Sequence, residues 1–338
     1  MENPHSPARA HEPPQSAIRA NQLTKNFNGD TGVFDVDLEV KAGTILGLIG
    51  PSGSGKTTTV RLLAGLLTPS SGTAEVFGER PVNFKRETRA RLGYMPQDSI
   101  LYPALTLRQN LDFAGSLFGI RRTARKERID KLIDFLELES AADRLPAASS
   151  GGERRRNALA STLIHNPDLV FLDEPTAGLD PVLRRKLWDR FDDLARSGRT
   201  LVVTTQYVGE AAYCDHVAVL ANGRVLIVDT PQGLRRRAFG GEPVDVAFVA
   251  PISAAAMGFL TNMTSGVAPL VIDDHSVRIV ADDPGETVPR ILEWGLENGV
   301  EIERAEAFAP PFDDIFVELV EQLSENNEEA SDNHEEVV

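Results

Sequence analysis

Two stretches of this chain carry residue types at spacings suited to nucleotide chemistry. The first, Gly50, Pro51, Ser52, Gly53, Ser54, Gly55, Lys56 and Thr57, is a complete G-x-x-x-x-G-K-T run. Its glycines let backbone amides close around phosphates. Lys56 supplies a compact positive charge for the β and γ phosphates, and the Thr57 hydroxyl suits Mg2+. The second stretch covers 149–180. Ser150, Gly151 and Gly152 open a helix with small residues and exposed amides, as an anion-binding helix end requires. The apolar run 169–172 then ends in the acidic pair Asp173 and Glu174. Phosphoryl transfer needs spread positive charge, a metal and a positioned water, with little covalent chemistry. An acidic pair at a strand tip divides into a metal ligand and a water-activating base.

Both stretches need strands and helices to hold them. Residues 44–50 form a short apolar run that reads as a buried strand entering the glycine-rich loop, and 58–67 continue as helix. Strands are expected at 18–27 and 33–40, before the loop, and at 72–77 after it. Tyr94, Met95 and Pro96 end a further strand, and Gln97 and Asp98 enter a loop. The pattern over 106–142 is helical, through Leu107, Leu111, Leu117, Ile129, Leu132 and Leu136. Strands 169–172 and 200–204 flank a helix at 181–197, an alternation that implies a parallel, doubly wound sheet. Strands 217–220 and 224–228 form a hairpin whose turn contains Asn222-Gly223. The Gly240-Gly241-Glu242-Pro243 run marks a domain boundary. Beyond it the order β-α-β-β-α-β, over 244–305, matches a ferredoxin-like unit. A last helix is expected at 313–323.

Composition narrows the class. The chain has 338 residues, 41% apolar and 25% charged, which leaves room for two ordinary globular domains. A single cysteine, Cys214, excludes an intramolecular disulfide framework. No apolar run approaches the roughly 18 residues of a membrane span. The proline-rich 1–16 reads as a disordered leader, and 324–338 as an acidic disordered tail. A formal charge of −15 argues against general nucleic-acid binding. These features suit a cytoplasmic protein whose membrane role, if it has one, comes through a partner.

Taken together, the motifs resemble those of the ATP-binding subunits of ABC transporters, in the family's order and over about 18–231. The resemblance is nearest to daunorubicin-resistance-type drug and lipid exporters. It implies a P-loop NTPase parallel sheet with an antiparallel β subdomain and a helical subdomain over about 98–165. An ABC ATPase domain would then cover 17–240, and a small C-terminal α+β domain 241–323. By this resemblance residues 50–57, continued by Thr58, are Walker A, and 170–174 are Walker B. Asp173 and Thr57 would hold Mg2+ with Gln97 of the Q-loop, and Glu174 would be the general base. Phe27 would stack on adenine. Residues 149–153 are similar to the signature motif, and Gly178, Leu179 and Asp180 to the D-loop.

In the family, Ser150 and Gly152 contact ATP bound to the opposite subunit. The resemblance therefore implies a homodimer formed on ATP binding, coupled to a multi-span permease at the cytoplasmic face of the membrane. Three residues depart from the family pattern: Ser149 in place of leucine, Glu153 in place of glutamine, and Gln206 in place of the switch histidine. A glutamine amide still donates to a phosphate but carries no proton. A soluble ABC ATPase acting on ribosomes or DNA is the alternative. His165 and His216 read as helix and strand surface, Cys214 as a small buried residue, and Arg154, Arg155 and Arg156 as a solvated face.

Overall fold

The computed structural model describes residues 16–29, 31–98 and 101–322. The expected leader, apart from Ser16, and the expected acidic tail lie outside them. The chain opens with an antiparallel pair, β1 (Ile18–Asn28) and β2 (Thr31–Val40). Then β3 (Ile45–Ile49) leads through the glycine-rich loop into α1 (Lys56–Leu63). β4 (Ser71–Val76) pairs with β1, which gives a small sheet of order β2-β1-β4. One turn of helix, α2 (Arg86–Arg89), precedes β5 (Leu92–Met95). Helices α3 (Leu107–Leu117), α4 (Arg122–Phe135) and α5 (Gly151–Leu163) follow. After them come β6 (Leu169–Asp173), α6 (Pro181–Arg196), β7 (Thr200–Thr205), β8 (His216–Ala221) and β9 (Arg224–Asp229).

The large sheet has the order β5-β6-β7-β3-β8-β9. Its first five strands pair in parallel. Every residue of β3, β6 and β7 is buried, because a parallel sheet is covered on both faces. This is why those strands read as continuous apolar runs rather than alternating ones. Leu46, Leu48, Phe171 and Val202 share one core with Val60, Leu62 and Leu63 of α1 and with Leu23, Val36 and Leu38 of the small sheet. Full burial of each large side chain contributes roughly 1.5–3 kcal/mol. The tip of the β8–β9 hairpin holds Asn222 at φ 50° and Gly223 at φ 75°, the left-handed pair that a type I′ turn requires.

His165 corrects the surface reading. Its ring stacks on Phe118 with centroids 3.8 Å apart, and Nε2 lies 2.8 Å from the Leu92 carbonyl. Burial pushes its pKa below the ordinary 6.5, and the nearby Arg128 charge acts the same way, against the Leu92 contact. The unfolded chain therefore takes up this proton at a higher pH than the folded one. Stability is intact above about 6.5 and is lost as pH falls from there toward the depressed folded value. His165→Phe, which keeps the stack, should show a smaller fall in Tm between pH 7.5 and pH 5.5 than the wild type. Equal falls in the two proteins would show that folding does not lower the pKa of this ring. His216 is likewise half-buried, at the start of β8, while Cys214 is buried as expected.

The chain divides into two compact units, Met1–Gln206 with Tyr213–Val225, and Tyr207–Ala212 with Leu226–Val338. The second unit contains α7 (Pro231–Phe239), a helix the periodicity did not reveal. Its signals are local: the Thr230 side chain accepts the Gly233 amide, Pro231 opens the first turn, and Gly240 closes the helix at φ 70°. β10 (Glu242–Phe248), α8 (Ala254–Thr261), β11 (Leu270–Val271), β12 (Ser276–Ala281), α9 (Pro284–Asn298) and β13 (Ile302–Ala307) follow. Their sheet has the order β11-β12-β10-β13 with every pairing antiparallel, the ferredoxin-like arrangement. Val244, Val246, Val277, Ile279 and Ile291 form its core, and Phe259 stacks on Trp294 at 4.6 Å. A helical run at 312–322 ends with Gln322 donating to the Ala238 carbonyl of α7. Among the described residues, no helix is long and apolar enough to cross a membrane.

Candidate nucleotide site

The glycine-rich loop leaves β3 and turns into α1, and two of its glycines are dictated by sterics. A Cβ at Gly50 would lie 2.1 Å from the Leu220 carbonyl oxygen. Gly55 has φ +100°, and a Cβ there would meet Val33 at 2.4 Å. Gly55 caps α1 without a side-chain bond, so the first amides of the helix remain available to an anion. Lys56 is buried and donates to the carbonyls of Gly50 at 2.7 Å and Pro51 at 2.9 Å. Burial pushes its pKa below 10.5, while the negative charges of Glu174 and Asp173 act in the opposite sense.

β6 runs beside β7, and their shared end holds the acidic pair. Asp173 is fully buried; its Oδ1 accepts from Thr57 Oγ1 at 2.9 Å and from Thr204 Oγ1 at 2.7 Å. Oδ2 of Asp173 is buried and has no hydrogen-bond partner among the described residues. One oriented carboxylate oxygen beside a threonine hydroxyl fits a hard divalent cation such as Mg2+, which takes one or two protein oxygens and otherwise phosphate and water. Among the described residues, no group of three or more His, Cys, Asp or Glu is placed to hold a metal ion. Glu174 stands at φ 48°, its amide donating to Thr204 Oγ1 at 2.8 Å. Its Oε2 accepts from Gln97 Nε2 at 3.1 Å.

These residues surround one cleft of about 440 Å³. Phe27, Ser52, Gly53, Gly55, Lys56, Thr57, Thr58, Gln97 and Glu174 line it. Gly50, Pro51 and the buried Ser54 lie within the loop itself, and the buried Asp173 accepts from the cleft-lining Thr57. Phe27 is 46% exposed, with the Lys25 ammonium 5.5 Å over its ring, so its face is not spent on the core. Thr31, Gly32 and Arg61 also line the cleft and went unrecognised in the sequence. The available signal for Arg61 was its position one helical turn beyond Thr57.

The remaining candidate residues stand elsewhere. Ser150 caps α5 in a reciprocal box: its side chain accepts from the Glu153 amide, and Glu153 accepts from the Ser150 amide at 2.7 Å. Glu153 also pairs with Arg144 at 2.6 Å. The Ser150 backbone bond, and after it the Ser150 hydroxyl and Arg144, hold its carboxyl below the usual range. Gly151 and Gly152 form the first turn of α5. Asp180 caps α6, accepting from the amides of Val182 and Leu183 at 3.0 Å. Gln206 follows β7 with an exposed side chain and does not line the cleft.

Arg154 is exposed, as the solvated-face reading has it, while the half-buried Arg155 and Arg156 correct that reading. Arg154 donates to the Pro146 carbonyl at 3.3 Å, and Arg156 to those of Leu136 at 2.7 Å and Glu137 at 2.8 Å. Arg155 is half-buried and donates to the carbonyls of Pro175, Gln97 and Glu174.

Comparison with known proteins agrees with this geometry. The ABC transporter family profile matches residues 33–177. The chain is 38% identical over 69% of its length to the probable multidrug ABC transporter ATP-binding protein YbhF of Escherichia coli, and spans 40% of that protein. It is 33% identical over 92% of its length to the daunorubicin resistance ATP-binding protein DrrA2 of Streptomyces coeruleorubidus, and spans 97% of it. Among solved structures, a dimeric post-hydrolysis ATP-binding cassette bound to ADP and Pi superposes with TM-score 0.58 at 25% identity. That match covers 63% of this chain and 98% of the other. An α/β P-loop core with these relatives is a nucleotide-binding ATPase domain, and the chain belongs to the ATP-binding proteins of the ABC transporter family.

Proposed function

We propose that this chain is a Mg2+-dependent ATPase that powers a separate transmembrane permease, exporting a drug, lipid or related compound. The observation that carries the reading is the Gln97–Glu174 contact above the Thr57–Asp173–Thr204 network, in the same cleft as Lys56. An oriented carboxylate lining the same cleft as the phosphate cradle supports the reading, because an attacking water needs a base beside the γ-phosphate. Lys56 and the loop amides bind the β and γ phosphates, and Phe27 carries the adenine. Glu174 takes the proton of the attacking water while Gln97 orients its carboxylate. Thr57 and Asp173, with Gln97, would hold Mg2+, which when bound neutralises charge developing on the transferred phosphoryl group. Gln206 supplies a neutral amide donor where histidine would supply a charged one.

Ser150 and Gly152, outside the cleft, serve the ATP of a second copy, so two chains close over two nucleotides and part after hydrolysis. The resemblance to multidrug and daunorubicin resistance proteins supports export, and the assembly would sit at the cytoplasmic face through its permease. Affinity purification of the tagged chain from solubilised membranes should recover a multi-span protein, and its ATPase activity should require Mg2+. Recovery of ribosomal proteins or DNA ends in place of a membrane protein would overturn the transport assignment.

A further inference from the structure

Arg155 lies where three separate pieces of the site meet. Its Nε donates to the Pro175 carbonyl at 3.0 Å, and its two terminal nitrogens donate to the carbonyls of Gln97 and Glu174. Gln97 stands in the loop after β5, and Glu174 and Pro175 in the turn after β6. The arginine itself projects from α5, one turn beyond Gly151 and Gly152. A planar guanidinium holds several acceptors in fixed directions at once, which a lysine ammonium does not reproduce. One of the three acceptors belongs to a residue under backbone strain. Glu174 has φ 48°, a conformation that a residue with a side chain keeps only where its neighbours hold it.

We propose that Arg155 is a positioning residue that locks the backbone carrying Gln97 and Glu174 to the helix whose first turn carries Ser150 and Gly152. The carboxylate that activates water for one nucleotide and the helix end offered to another then move as one body. The guanidinium touches backbone carbonyls rather than phosphate, so its contribution falls on the placement of Glu174 and not on nucleotide affinity. This inference rests on the proposed ATPase reading.

The test separates the two steps. In Arg155→Ala, kcat should fall by about 10–100-fold, the cost of misplacing a reacting group by a fraction of an ångström to an ångström. The Kd for MgATP should stay within about threefold, since Lys56 and the loop amides are untouched. Methylguanidinium added to Arg155→Ala should restore part of the lost kcat. Arg155→Lys, which keeps charge and length, should stay impaired and serves as the test if the alanine variant does not fold. In a Glu174→Gln background, adding Arg155→Ala should weaken ATP-driven dimerisation. An unchanged kcat would overturn the proposal. So would a loss shared equally by kcat and affinity with no response to methylguanidinium, because that pattern marks a merely structural side chain. A wild-type chain without ATP hydrolysis would overturn the ATPase reading as well, whereas an active wild type with an unaffected Arg155→Ala overturns only this inference.

Discussion

Glu174→Gln should lower steady-state ATP hydrolysis by about 10²–10⁴-fold, the usual contribution of a positioned general base. Affinity for MgATP should stay within a few-fold of wild type. The split follows from where the two halves of Glu174 are anchored. Its backbone amide is held by Thr204 Oγ1 at 2.8 Å, an interaction the substitution leaves alone. Its carboxylate bonds only the Gln97 amide among the described side chains and otherwise faces the cleft. The amide of the variant fills the same volume and accepts no proton. Because hydrolysis is what releases the proposed closed dimer, the variant should also accumulate as an ATP-bound dimer in size-exclusion chromatography. Turnover within tenfold of wild type would remove Glu174 from the role of base.

Lys56→Met should act on the other half of the reaction. Affinity for MgATP should drop at least about thirtyfold, since removing one partner of a buried charged contact costs ~2–5 kcal/mol. The protein without nucleotide should melt no lower than wild type, because burial already disfavours the Lys56 charge and lowers its pKa from 10.5. The sign of the pH dependence follows from that direction. Below the depressed folded value the ammonium is charged in both states, and the folded protein carries the full cost of burying it. As pH rises through that value toward 10.5, the unfolded chain binds more protons than the folded one, and wild-type stability rises relative to the variant. Titrating Tm against pH for both proteins, with and without nucleotide, checks both parts. A variant that retains the ATP-induced rise in Tm would show that Lys56 is not a phosphate ligand.

Much of the fold is legible in the sequence because buried parallel strands leave a strong signature. The apolar runs that become β3, β6 and β7 could not be placed on a half-solvated sheet, and the Asn222-Gly223 pair has few uses other than a tight hairpin. α7 escaped because its residues PQGLRRRAF show little apolar periodicity, with only Leu234 and Ala238 buried. The cleft residues were legible where the chemistry fixes residue type, as at Lys56, Thr57, Asp173 and Glu174. Arg155 was not legible. Three arginines in a row look like a charged surface, and their acceptors are backbone carbonyls of residues 58 and 19–20 positions away, which no spacing rule reports. His165 was hidden for a similar reason, since its partners Phe118 and Leu92 lie far along the chain.

Glu153 puts a carboxylate at the end of a helix that, in the proposed two-copy assembly, must meet another molecule's γ-phosphate. Arg144, at 2.6 Å, pairs with that carboxylate, beside the Ser150 amide that also binds it. The consequence belongs to inheritance. In the proposed assembly, a subunit that loses Arg144 should handle its own ATP normally and impair its neighbour's, so the fault and its effect would sit in different molecules. Made alongside the normal product, such a subunit would enter mixed assemblies in proportion to its share and mark them with one defective site each.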